Sequence, residues 1–142
     1  MNRLTTGSSA GSLRYARTGT PWQCLQDFLE DNLDIIRKRE LSDAGGIRLY
    51  SFGSMWLSFN RSAHRLSRLF PDAPVSLLDF KGEKTVMLAL TGAEVDKLKR
   101  AEEYRIPDPS LLIFPTPVPD GGASSYDRWF RRTSEELGCR QF

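Results

Sequence analysis

One histidine and two cysteines are all the soft metal-binding chemistry that 142 residues contain. His64 has no second imidazole to work with, and Cys24 and Cys139 stand near opposite ends of the chain without CxxC or Cys/His spacing. A tetrahedral metal centre needs three or four such ligands, so neither a metal nor another cofactor is expected. Two reduced thiols are the simpler reading of such sparse cysteine usage. The chain also lacks a phosphate-binding loop and a Gly-x-Gly-x-x-Gly fingerprint. Gly45-Gly46 and Gly121-Gly122 read as turns. No apolar run approaches the roughly 18 residues of a membrane span, and the start of the chain has no apolar secretory core. A cytoplasmic protein without membrane contact is expected. Charge of one sign is also scarce. Twenty basic residues face 18 acidic ones, a net of +2, far from the excess of dedicated nucleic-acid binders. Any electrostatic function must therefore rest on local clustering.

What is present organises readily. Residues 1–19 carry Arg3, Arg14 and Arg17, no acid and many Ser, Thr and Gly, which reads as a flexible basic tail. Residues 20–142 are long enough for one domain with a real core. Thr20-Pro21-Trp22-Gln23 is a helix start. The helix to about Arg39 turns Trp22, Leu25, Phe28, Leu29, Leu33 and Ile36 inward. Ile47–Phe52 reads as a strand, Gly53 as a turn, and Ser54 as the cap of a helix reaching Phe70. Residues 76–80 and 85–90 are apolar strands joined across Lys81–Lys84. Thr91 and Glu94 form a capping box for a helix to about Tyr104. Leu111–Phe114 reads as a short strand, 115–124 as a Pro/Gly loop, and 125–138 as a C-terminal helix. The order α-β-α-β-β-α-β-α predicts an α+β domain, a small mixed sheet of about four strands with helices packed on it, residues 47–115 being its central unit.

Residues 54–70 point most directly to chemistry. At about 100° per residue, Met55, Trp56, Phe59, Ala63, Leu66 and Phe70 form a core-facing stripe. Arg61, Arg65 and Arg68 fall opposite, with His64 beside them as an exposed surface residue. Three guanidinium groups spaced about 6–10 Å along an axis suit successive phosphates or a row of carboxylates. Arg128, Arg131 and Arg132 make a second group on the terminal helix, where Tyr126-Asp-Arg-Trp-Phe-Arg-Arg132 interleaves aromatic and basic residues. Trp129 and Phe130 read there as core. Asp27, Glu30, Asp31 and Asp34, at i, i+3, i+4 and i+7, form the one carboxylate row, a solvated helix face rather than an acid–base pair. With no catalytic constellation, a non-enzymatic binding protein is expected, contacting the backbone of DNA or RNA through its arginine face. The alternative is a protein-interaction module (a homodimer, a subunit or an inhibitor) that mates the acidic first helix with the basic second one.

The run Tyr50-Ser-Phe-Gly53-Ser-Met-Trp56-Leu-Ser-Phe59-Asn-Arg-Ser-Ala63-His-Arg-Leu-Ser67-Arg-Leu69 resembles the opening strand–turn–helix of the N-terminal, mismatch-recognition domain of the MutS family of DNA-repair proteins. Gly53, Trp56, Phe59, Ala63, Ser67 and Leu69 match in class without a gap. The later hairpin, the helix 92–104 and the strand 111–114 follow that domain's order, so the resemblance spans about residues 47–115. It implies a similar scaffold with different chemistry. The family's base-stacking Phe falls on Met55, its base-contacting Glu on Leu57, and its acidic residues on Arg61 and Ser62. No ATPase region fits in so short a chain. Arginines in place of acids imply backbone contacts, which position a protein without reading sequence.

Overall fold

The computed structural model describes residues 21–42, 45–137 and 139–141; the predicted tail of residues 1–19 and the capping Thr20 lie outside them. Helix α1 (Pro21–Leu41) leads into the hairpin β1 (Ile47–Phe52) and β2 (Met55–Phe59). Helix α2 (Asn60–Leu69) leads into the hairpin β3 (Val75–Phe80) and β4 (Glu83–Thr91). Helix α3 (Gly92–Ala101) leads into β5 (Arg105–Asp108) and β6 (Leu111–Phe114), and α4 (Gly122–Glu136) ends at β7 (Cys139–Gln141). The α+β class is as expected, but the sheet is larger. Seven strands run in the order β5-β6-β1-β2-β4-β3-β7. All neighbours are antiparallel except β3 and β7. No helix among the described residues is long and apolar enough to cross a membrane.

Helices cover both faces of the sheet, which explains where the sequence reading went astray. On one face Phe28, Leu29, Leu33 and Ile36 of α1 pack on Tyr50, Leu57, Phe59, Leu78, Phe80 and Leu111. On the other, Ala63 and Leu66 of α2 and Val95 and Leu98 of α3 pack on Ile47, Leu49, Leu77, Val86, Leu88, Leu112 and Phe114, joined at the margin by Trp129 and Phe130. Arg37 of α1 ties its layer down, donating from Nε and Nη2 to the Thr85 hydroxyl on β4 at 3.1 and 2.8 Å. Residues 55–59 are strand, not the first turns of a helix as both the periodicity and the MutS-like reading placed them. A strand buried on both faces has no polar side to betray its period of two. Over five residues, Met-Trp-Leu-Ser-Phe satisfies a helical arc equally well. Strand β5 escaped for the opposite reason: it is an exposed edge containing Pro107, the position where a sheet tolerates proline.

Turn chemistry was easier to read. Gly53 (φ +60°) opens the two-residue connection between β1 and β2. Lys81 and Gly82 (φ +55° and +83°) make the β3–β4 hairpin, with both central residues left-handed as such loops require. The Thr91/Glu94 capping box is formed in full at the start of α3.

Candidate functional site

The site begins where β2 gives way to α2. Asn60, the first residue of α2, holds a left-handed backbone (φ +49°), which asparagine tolerates better than most residues. Its side-chain oxygen accepts from the Val86 N–H at 3.1 Å, filling in for the strand that has just ended. Two residues on, the Ser62 hydroxyl accepts from the Arg48 N–H at 3.0 Å and so completes the free flank of β1. The residue preceding α2, Phe59, has no side chain that can cap a helix. Glu40 of α1 does so from a distance: its Oε1 accepts from the Ser62 N–H at 2.8 Å. Its Oε2 takes the Ser62 hydroxyl at 2.9 Å and Arg48 Nε at 2.8 Å. Glu40 is only 2 % exposed. A carboxylate at a helix N-terminus is favoured by the backbone dipole, and Arg48 balances its charge.

From that anchored start, α2 presents its predicted basic side to α4 rather than to open solvent. Arg65 is buried. Its Nε donates to Asp120 Oδ2 at 2.8 Å and its Nη1 to the Gly46 carbonyl at 2.9 Å. Burial disfavours the charged Asp120 carboxyl, but the Gly122 N–H and the Arg65 guanidinium outweigh it and hold its pKa below the usual value. His64, read from the sequence as a surface residue, is 3 % exposed, and its Nδ1 has no hydrogen-bond partner. The rings of Trp129 and Tyr126 lie 5.0 and 5.9 Å from its imidazole. Burial lowers its pKa; Asp120 pulls it up, while Arg68, Arg65 and Arg132 push it down again. Arg61 lies over the Tyr126 ring at 4.8 Å. The Tyr126 hydroxyl has its pKa raised, by burial above all, against the pull of Arg61.

Two arginine groups far apart in sequence are therefore brought to one surface. Arg68 and Arg132 both act on His64, and Arg61 reaches the α4 aromatic Tyr126. Arg68, Arg128, Arg131 and Arg132 are exposed, and none of them is ion-paired among the described residues. Arg65 has left this set for the interior. The acidic row stays apart, on α1 across the sheet. Glu30, Asp31 and Asp34 are exposed and Asp27 is half-buried. Its ion pair among the described residues is long, Glu30 to Lys81 Nζ at 4.0 Å. Sequence reasoning passed over Glu40, Ser62 and Asp120. Glu40 had a signal, an acid in the last turn of a helix where the dipole disfavours it. Asp120 had one too, standing before Gly121-Gly122 as a turn-forming Asx. Comparison with known proteins returned no match: no family model, no curated protein and no solved structure aligns with this chain.

Proposed function

We propose that this is a binding protein whose seam between α2 and α4 contacts the phosphate backbone of nucleic acid, DNA or RNA, without reading its sequence. The observation that carries this reading is the convergence of Arg61 and Arg68 with Arg132 around the His64–Tyr126 contact, with Arg128 and Arg131 exposed alongside. An unpaired arginine can neutralise a phosphate, and the release of the cations condensed on the nucleic acid drives association. Arg65 does not contribute directly, because Asp120 already satisfies it. Fluorescence anisotropy with labelled oligonucleotides tests the reading. If about four arginines meet phosphates, affinity for a single strand should fall about fifty-fold between about 50 and about 200 mM salt. Arg68→Glu and Arg132→Glu should each weaken binding and flatten that slope. No binding of single or double strands at the lower salt would refute the reading.

A second reading, a protein-interaction module, draws on the acidic row of α1 lying across the sheet from the arginines. Opposed patches on one chain mate heterologously, so copies would form open chains or rings rather than a closed two-fold dimer. Light scattering at low salt would then show mass rising with concentration; a strict monomer would exclude self-mating.

A further inference from the structure

Along one side of α4 runs an open groove of about 420 Å³ whose lining, Tyr126, Asp127, Phe130, Arg131 and Ser134, comes from this one helix. We propose that this groove takes an unpaired nucleobase, so that the ligand is a single strand rather than a duplex; the proposal rests on the backbone-binding reading above.

Tyr126, Phe130 and Ser134 fall at i, i+4 and i+8, one line along the helix. Thr133 is the buried residue of α4, while Tyr126 and Phe130 are half-buried, Phe130 at the rim of the core. Their rings are 5.9 Å apart and inclined by 59°, so they do not stack face to face on each other. Arg61 supports Tyr126 from the α2 side. An aromatic wall of this kind suits any base, because every base has a π-face. Arg131, which lines the groove, supplies charge for the strand that a base would hang from; Arg128 and Arg132 leave the helix on roughly its opposite side. Asp127 is the one acid in the wall. Its carboxylate repels phosphate but accepts from exocyclic amino groups, which cytosine, adenine and guanine have and thymine lacks. The Ser134 hydroxyl donates to the Phe130 carbonyl at 2.8 Å, which leaves its lone pairs for the same donors. A duplex keeps its bases stacked inside and cannot offer one.

The test compares three labelled probes on the intact protein at about 50 mM salt: an oligodeoxycytidine of about 12 nucleotides, an abasic strand of the same length, and a duplex. The cytidine strand should bind about tenfold tighter than the abasic strand, the gain expected for one stacked base, and tighter than the duplex. Phe130→Leu should bring the cytidine strand down to the abasic level and leave abasic binding unchanged. Equal affinity for the cytidine and abasic strands overturns the nucleobase groove while the arginine seam stands. No binding by any probe overturns both. The abasic comparison uses the unaltered protein, so it decides the question even if the Phe130 variant folds poorly.

Discussion

Replacing Glu40 by alanine tests whether one buried carboxylate organises the site. Glu40 and Arg48 side chains are 3 % and 11 % exposed, with Nε and Oε2 2.8 Å apart, so solvent screens the pair little. Removing the acid breaks a buried ion pair with Arg48, a loss of about 3–5 kcal/mol in comparable pairs. It also removes the side-chain acceptor that caps the start of α2, for about 1 kcal/mol more. The expected cost of about 4–6 kcal/mol rivals the whole stability of a small domain, about 5–15 kcal/mol. Glu40→Gln keeps an acceptor for the Ser62 N–H and should lose less, about 1.5–3 kcal/mol. Glu40→Leu with Arg48→Met removes both charges and should recover much of the loss, because neither desolvated charge then has to be balanced. Urea unfolding followed by tryptophan fluorescence measures each variant, with circular dichroism checking that the transition is two-state. A cost below about 1 kcal/mol for Glu40→Ala, or a double variant weaker than the single one, would refute the reasoning.

Two further perturbations address neighbouring links. Burial lowers the His64 pKa from its ordinary value of 6.5, so the neutral imidazole is the form that fits between α2 and α4. Its contribution is complete above the unfolded value and is lost as pH falls through that value toward the folded one. The urea midpoint should therefore decline more between about pH 7 and about pH 5 in the native protein than in His64→Phe; identical profiles would dismiss the effect. Asn60→Ala leaves the Val86 N–H without its acceptor and puts alanine at φ +49°, an expected cost of about 2–4 kcal/mol. Asn60→Gly relieves the backbone strain and should fall between alanine and the native residue. Amide exchange at Val86 should accelerate in both variants, and an unchanged rate would show that the Asn60 oxygen does not matter.

Most helices and three hairpin or cap signals could be read directly from the chain. Thr91 with Glu94 marks α3, Lys81-Gly82 marks the β3–β4 turn, and the apolar spacing of Phe28, Leu29, Leu33 and Ile36 marks the buried face of α1. These signals are local: each depends on residues within a few positions of one another, so their physics is already present in the sequence. Strand β2 was misread because burial on both sides erased its alternation. Strand β5 was missed because an exposed edge needs no apolar pattern at all.

The chemistry of the candidate site depended on contacts that no local rule contains. The sequence by itself determined that arginines cluster at 61–68 and 128–132. Tertiary structure decided which of those arginines remain available. Arg65 meets Asp120 across 55 positions of chain and turns inward, whereas Arg68 and Arg132 meet no carboxylate among the described residues. It also decided that Glu40, 22 positions before Ser62, is the cap of α2. Helical spacing gives the direction in which a side chain leaves its own helix. Whether that direction meets solvent, an aromatic ring or an opposite charge depends on what the rest of the chain places there, and only the packed sheet with its two helical layers supplies that.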